Sequence, residues 1–210
     1  MKKYKFIDAG LTDYYEGIRL QKIYFDAVYN NLMDAVFVML EHKPVYTIGR
    51  ANRKEIECYD YLKNVADVYF VDRGGNITFH GPGQLVIYLI VNLEKLDKDV
   101  HHYVEILEEI VISILKEYGV RSGRKARYTG VWVNSEKICA LGIAIKRWIT
   151  WHGIAININV DLKYFDCIVP CAIEGFGVTS MMKLGLNVAV SDVIKKIERE
   201  IINKLKLGNF

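Results

Sequence analysis

An uninterrupted apolar run near the middle of the chain most constrains what the chain can fold into. Residues 85–91 are seven consecutive apolar residues, rich in β-branched and aromatic types. The run is far too short to cross a bilayer, and its composition favours a β-strand. Residues 100–115 follow it and repeat apolar side chains at i, i+3, i+4 and i+7, which predicts an amphipathic helix. The centre of the chain is therefore one strand followed by one helix.

Strand and helix patterns recur along the rest of the chain without regular alternation. Two further helices are predicted at about residues 13–30 and 192–205, with Asp13 and Ser191 as N-caps, and Asp99 caps the central helix. Further strands are predicted at residues 35–40, 68–71, 131–133, 137–141 and 154–160. This order predicts an α+β fold, a mixed β-sheet with flanking helices, rather than a doubly wound sheet.

Composition limits the class of protein and its location. The chain of 210 residues is 51% hydrophobic and 25% charged, which is typical of a soluble globular protein with a substantial core. It has no internal repeat or linker, so we expect one domain over residues 1–210. The four cysteines and the absence of an apolar segment near the N-terminus predict free thiols and a cytoplasmic location, with no membrane association.

Charge is informative only locally. The net charge of +3 gives no support for a nucleic-acid partner. Arg121, Arg124, Lys125 and Arg127 form a basic patch at residues 121–127. The patch could dock an acidic protein or bind a phosphate, although a solvated basic loop is the simpler interpretation.

Residues 73–84 form the least ordinary segment. It contains four glycines and one proline, together with Arg73, Thr78 and His80. Glycines allow close approach to a ligand and expose backbone N–H donors. A plain connecting loop with a locally bonded histidine is equally compatible, because the spacing matches no phosphate-binding motif.

Two other segments carry reactive side chains. Lys137 begins an otherwise apolar strand, where a lysine usually keeps its ammonium in water. Beside a thiol, the same ammonium would favour the thiolate. Cys171 follows Pro170 in a predicted loop and is more accessible than Cys167, which is interpreted as a packing residue. The spacing of the two cysteines makes a weak zinc site, so no metal is predicted.

Taken together, these segments resemble the lipoyl(octanoyl) transferases of lipoate biosynthesis. The resemblance covers nearly the whole chain and rests on separated motifs in the same order. The motifs are residues 41–50, 73–84 and 137–142, His152-Gly153, Asn157, Asn159, Pro170-Cys171 and residues 177–181.

The resemblance implies a fold shared with biotin and lipoate protein ligases, with an acyl tunnel. It implies a catalytic dyad in which Cys171 accepts the acyl group and Lys137 stabilises its thiolate. The implied substrate-binding residues are Arg73, Gly74, Gly75, Asn76, Ile77, Thr78, Phe79, His80, Ala140, Leu141, Gly142, Gly153, Ile154 and Ala155. In this chain Phe79 stands where the family commonly has tyrosine, which would remove one hydroxyl from the binding loop.

The implied reaction moves an octanoyl group from acyl carrier protein to a lysine of a lipoyl domain, without a cofactor. The implied acceptors are the lipoyl domains of 2-oxoacid dehydrogenase E2 subunits and the glycine cleavage H protein. Two alternatives remain at this point. One is an ATP-dependent lipoate or biotin ligase of the same fold, and the other is a non-catalytic acyl-binding module.

Overall fold

A computed structural model describes residues 3–168 and 176–207, and only the backbone of residues 52–58. The strands are β1 Tyr4–Thr12, β2 Ala35–His42, β3 Val45–Ile48, β4 Asp67–Phe70, β5 Ile77–His80, β6 Gln84–Val91, β7 Gly123–Lys125, β8 Tyr128–Val133, β9 Glu136–Lys146, β10 Ile149–Asn157 and β11 Gly177–Val178. The helices are α1 Tyr14–Tyr29, α2 Val100–Glu117, α3 Lys163–Asp166 and α4 Val190–Lys204, with 3₁₀ segments at Arg50–Asn64 and Leu93–Lys95.

The strands form one large and one small sheet. The large sheet has the order β1-β2-β6-β10-β9-β8-β7, and β11 pairs with β9 beyond the end of β10. The β1–β2 and β9–β11 pairs are parallel and the other pairs of this sheet are antiparallel. The small sheet has the order β4-β3-β5. The predicted mixed sheet with flanking helices is confirmed.

Alternation along β2 and β6 explains why helices cover both faces of the large sheet. Phe37 and Ile87 point into the main core, which includes side chains of α2 and α4. Val38 and Val86, one residue away in each strand, point into a second cluster with residues of α1. A strand buried on both faces reads as a continuous apolar run, which is why residues 85–91 show no polar alternation.

The helix caps test the predicted boundaries. The Asp13 carboxylate accepts a hydrogen bond from the N–H of Glu16, and Asp99 accepts from His101 and His102 N–H groups, as predicted. Glu16 pairs with Arg19 instead of closing a reciprocal capping box. The predicted Ser191 cap is wrong, because α4 begins at Val190 and its N-cap, Ala189, has no side chain that could accept a hydrogen bond.

The small sheet was largely missed from the sequence. Its three strands have only four residues each, and β5 lies inside the glycine-rich segment predicted as a loop. Its core contains Tyr46, Phe79 and Phe165, so α3 covers one face. Just before β5 of the small sheet, Gly74 lies against Gly142 and Ile143 of β9. None of the described helices has both the length and the apolar character needed to span a membrane.

Candidate active site

A narrow cavity of about 70 Å³ lies where the small sheet meets the large one. It is lined by α1, β3, the segment 73–80, β6, β9 and β10. Of the residues proposed from the resemblance, the lining includes Lys137, Arg73, Gly75, Asn76, Ile77, Thr78, His80, Ala140, Leu141, Gly142, Gly153, Ile154 and Ala155. Segments far apart in the sequence therefore share one concave surface. Such a surface is the usual form of a small-ligand site.

Lys137 occupies the beginning of β9 and one end of this cavity. Its Nζ donates a hydrogen bond to the Thr129 carbonyl oxygen at 3.1 Å and lies 4.7 Å from the centroid of the Trp132 ring. Its carbonyl oxygen accepts a hydrogen bond from the Thr179 N–H, because β11 pairs with this part of β9. The described chain thus resumes beside Lys137 after residues 169–175. The proposed nucleophile Cys171 lies outside the described residues.

Arg73 and the glycines after it are anchored on both sides. The Arg73 guanidinium donates to the Thr47 carbonyl and hydroxyl oxygens at 2.8 and 2.9 Å. The Gly74 N–H donates to the Ile143 carbonyl oxygen. On Gly142, a Cβ atom would lie 3.1 Å from the Gly74 oxygen and 3.2 Å from the Arg73 Cδ. Glycine at position 142 therefore lets the arginine segment pack directly on β9.

His80 belongs to a relay of hydrogen bonds that fixes its tautomer. Gln84 donates through Nε2 to the Phe79 carbonyl oxygen and to Asn157, so its Oε1 is left to accept from His80 Nδ1 at 2.7 Å. His80 Nε2 then accepts from the Thr47 hydroxyl at 3.2 Å. Burial, with the nearby His42 and Arg73, lowers the pKa of His80 to about 3. The imidazole is neutral at physiological pH and suited to positioning.

A second buried histidine lies behind the cavity and was not predicted. His42 Nδ1 donates to the Thr12 carbonyl oxygen at 3.0 Å, and its Nε2 accepts from the Tyr88 hydroxyl at 2.6 Å. Burial lowers the pKa of His42 to about 4 and raises that of Tyr88 well above its ordinary value. Tyr88 lines the cavity. The sequence signal was weak, since the two residues meet only through β2–β6 pairing.

His152, at the other end of the cavity, has an unusual backbone. Its φ is +58°, and its ring Nε2 lies 3.0 Å from Asp72 Oδ1. The His152 hydrogen bond lowers the pKa of Asp72. Next to it, Gly153 lies against β6, and a Cβ atom there would be 2.0 Å from the Ile87 oxygen. Gly153 is therefore required for close strand packing at the cavity wall.

Gly74 and Phe79 are the two proposed binding residues that do not line the cavity. The Phe79 side chain is fully buried in the small-sheet core and stacks on Tyr164 with ring centroids 4.3 Å apart. Side chains alternate along a strand, so Phe79 faces away from the side on which Thr78 and His80 lie. The exchange of tyrosine for Phe79 therefore affects packing here, not a hydroxyl in the cavity.

The thiols of Cys139 and Cys167 do not lie in the surroundings expected for a nucleophile. Cys139 is buried in the main core, and burial raises the pKa of its thiol to about 12. Cys167 packs against the small-sheet core, as the sequence predicted. Within residues 3–168 and 176–207, no group of three His, Cys, Asp or Glu side chains is arranged to hold a metal ion.

The basic patch is partly structural. Arg124 donates to Glu108 at 3.0 Å and to Glu109 at 2.9 Å, and the Glu108 side chain is buried. Lys125 lies over the rings of Trp132 and Phe176. These contacts attach β7 to α2 and β8. Arg121, Arg124 and Arg127 are exposed, and Arg124 is engaged by the two glutamates.

Comparisons with known proteins identify the family. The lipoyl protein ligase A/B catalytic domain matches residues 13–202. The octanoyltransferase of Caldanaerobacter subterraneus subsp. tengcongensis is 51% identical over 200 residues, covering 94% of this chain and 88% of that relative. The octanoyltransferase of Thermoanaerobacter sp. strain X514 is 49% identical over 207 residues, covering 97% and 89%.

Solved structures of low sequence identity share the fold. A bipartite lipoate protein ligase from Thermoplasma acidophilum, described with its E2 lipoyl domain, has a TM-score of 0.71 at 17% identity, covering 96% of this chain and 85% of that one. The Aquifex aeolicus biotin protein ligase with biotin and ATP has a TM-score of 0.59 at 15% identity, covering 98% and 71%. The predicted ligase-like fold is confirmed, and the chain belongs to the lipoyl protein ligase A/B catalytic domain family.

Proposed function

We propose that this chain is an octanoyltransferase of protein lipoylation. It takes an octanoyl group from acyl carrier protein and transfers it to a lysine of a lipoyl domain, in E2 subunits or in the glycine cleavage H protein. The octanoyltransferases that are 51% and 49% identical to it support this activity. The observation that carries the proposal is the shared cavity, which is lined by Lys137, by a polar wall that includes Arg73 and His80, and by apolar side chains.

The reaction proceeds in two displacements. The Cys171 thiolate attacks the thioester carbonyl, the carrier thiol leaves, and an octanoyl thioester forms on the enzyme. The amine of the acceptor lysine then attacks this thioester, and the Cys171 thiolate leaves as the amide forms. Covalent catalysis lets two bulky proteins use the same site in turn. The thioester is already activated, so the reaction needs neither ATP nor another cofactor.

Lys137 acts on both displacements. Its ammonium stabilises the Cys171 thiolate by Coulomb attraction. It then gives a proton to the departing carrier thiolate, and the resulting amine accepts the proton that the attacking lysine loses. The backbone N–H groups of Leu141 and Gly142 are candidates for holding the oxyanion, a contribution of about 3 kcal/mol for each donor.

The remaining cavity residues bind the acyl chain and orient it. Arg73, Thr47 and His80 form a fixed polar wall through their mutual hydrogen bonds. Val86, Ile154 and Ala155 supply apolar surface, and burying each methylene there contributes about 0.8 kcal/mol. The free thiols Cys139 and Cys167 fit the reducing cytoplasm in which we place the reaction. Residues 1–210 act as one catalytic domain.

Intact-mass analysis after mixing with octanoyl carrier protein tests the proposal. One octanoyl adduct is expected for the wild-type chain and for Cys167→Ala, and none for Cys171→Ala. Transfer of the same octanoyl group to an added lipoyl domain should then remove the adduct. An adduct that persists in Cys171→Ala, or a wild-type chain that acquires none, would contradict the mechanism.

ATP dependence separates the transferase from a ligase. Octanoate with ATP and a lipoyl domain, without carrier protein, should give no modified lysine. Efficient modification under these conditions would instead support ligase activity.

A further inference from the structure

The cavity that we assign to the octanoyl chain is separated from a larger cavity by two shared residues. The second cavity has a volume of about 380 Å³ and a largely aromatic and aliphatic lining that includes Tyr69, Phe70 and Trp151. Tyr14 and His152 line both cavities. They therefore form a wall with space on each side, and we call this pair the end wall.

Strand register and the direction of the Lys137 side chain locate His152 at the opposite end of the first cavity from the ammonium. His152 on β10 pairs with Ile143 on β9. The Lys137 side chain runs along β9, because its Nζ donates to the Thr129 carbonyl oxygen, on the part of β8 that continues from the Val131–Cys139 pair towards Ala140 and Leu141. At about 3.4 Å per residue, the ammonium is therefore roughly 7–10 Å from the level of His152, close to the length of an extended octanoyl chain. An acyl chain whose carbonyl lies near Lys137 would therefore point its methyl end at Tyr14 and His152.

Tyr14 is held firmly in its place. It is the first residue of α1, directly after the Asp13 cap, and only 7% of its surface is exposed. Its ring packs 5.3 Å from the His42 ring and 4.9 Å from the Tyr69 ring. Burial raises the pKa of Tyr14, so the phenol stays neutral.

His152 is held by its backbone as well as by its ring. Its φ of +58° is a conformation that favours glycine, and its N–H donates to Gln21 Oε1 at 2.7 Å. The ring is fixed by Asp72 on the side of the second cavity. A non-glycine residue held in this region is maintained by its surroundings, often for a functional reason.

We propose, on the basis of the proposed function, that Tyr14 and His152 set the maximum length of the acyl chain. A chain that fills the first cavity makes favourable contacts along its length and ends against the two rings. A longer chain must displace one ring from a well-packed position before its extra methylenes reach the second cavity. Removal of either ring joins the two cavities and extends the binding site.

Calorimetric titration with saturated carboxylates, from hexanoate to hexadecanoate, tests this wall. For the wild-type chain, affinity should rise by about fourfold per methylene up to a medium chain length near octanoate and then stop rising. In Tyr14→Ala and in His152→Gly, the rise should continue to longer chains. His152→Gly suits the test because glycine adopts the positive φ without strain.

Two further variants separate the wall from general loosening of α1. Tyr14→Phe keeps the ring and should keep the wild-type limit. Tyr29→Ala, at the exposed end of the same helix, should also keep it, because Tyr29 lines neither cavity. The proposal is overturned if wild-type affinity rises without a limit through hexadecanoate. It is also overturned if Tyr14→Ala and His152→Gly keep the wild-type limit.

Failure of the wall and failure of the proposed function give different results. The titration requires no acyl-enzyme, so it reports on the wall even if the chain forms no adduct with octanoyl carrier protein. If an adduct forms but the variants keep the wild-type chain-length limit, the octanoyltransferase proposal is retained and the proposed role of Tyr14 and His152 is rejected.

Discussion

Lys137 and His80 line the cavity and His42 lies behind it, and the lysine is held differently from the two buried histidines. Lys137 is partly exposed, and its ammonium lies over an aromatic ring next to the point where the described chain resumes at Phe176. The histidines are buried, and both ring nitrogens of each have hydrogen-bond partners. The comparison teaches that the surroundings of the lysine suit the proton exchange proposed for it, whereas the histidines are fixed by their partners.

The largest expected effect comes from removing the charge of Lys137. Lys137→Met keeps the apolar stem over Trp132 and should slow acyl-enzyme formation by about 10²–10⁴-fold, the usual range for a lost acid–base group. Rapid-quench mass analysis measures this rate. Lys125→Met is the matched control, since Lys125 lies over the same ring but does not line the cavity. Equal slowing in the two variants would show that stacking, not proton transfer, matters.

The histidines should appear in the pH dependence of stability. Their pKa values are about 4 and about 3, below the unfolded value of about 6.5. Their stabilising contribution is therefore complete above pH of about 6.5 and is lost as pH falls towards the folded values. Each should lower the free energy of unfolding by roughly 1.4 kcal/mol per pH unit, or roughly 2 kcal/mol at pH of about 5.

Urea unfolding at several pH values measures this slope. His42→Gln and His80→Gln should each remove about half of it, because each variant deletes one titrating group. A slope unchanged by both substitutions would mean that folding does not lower the pKa values of the two histidines.

A further prediction concerns Gly153, which lets β10 pack closely on β6 at the cavity wall. Gly153→Ala forces a methyl group against the Ile87 carbonyl and should lower the free energy of unfolding by about 1–3 kcal/mol. Gly123→Ala is the control, because a Cβ there meets no atom within 4 Å. The difference between the two midpoints in urea isolates the steric term, and equal midpoints would refute close packing of β10 on β6.

The smallest effects are expected in the basic patch at residues 121–127. They distinguish arginines that stabilise the fold from arginines that bind a partner. Arg124→Ala leaves the buried Glu108 with fewer donors and should cost about 1–2 kcal/mol of stability. Arg127→Ala should change stability by less than about 0.5 kcal/mol. If Arg121 and Arg127 contact the carrier protein, their joint reversal to glutamate raises KM for the carrier protein and weakens its dependence on salt. An unaltered KM would assign the whole patch to structure.

The sequence predicted the helices and strands whose signals lie within a few neighbouring residues. The capped helices α1 and α2 and the apolar strands β2 and β6 follow from periodicity and capping, because those signals act within a few residues. β3 and β5 were missed because a four-residue strand has too little pattern to stand out. β5 is also framed by glycines that favour a loop.

The sequence predicted residues of the cavity only where they belong to a motif of the family. Residues 73–80 and 137–142 were proposed from the resemblance, but Tyr14, Thr47 and Tyr88 were absent from that proposal. They reach the cavity from α1, β3 and β6, and only the pairing of distant strands brings them together. Phe79 shows the reverse case, since its place in the motif did not reveal which face of β5 it occupies.

The direction of the acyl chain is the central claim, and a photoreactive donor tests it most directly. Octanoyl carrier protein with a diazirine at the methyl end of the acyl chain would be mixed with the enzyme, irradiated and mapped by peptide mass analysis. The account predicts labelling of peptides that contain Tyr14, Tyr88 or His152. Labelling confined to peptides around Lys137 and Thr129 would contradict it.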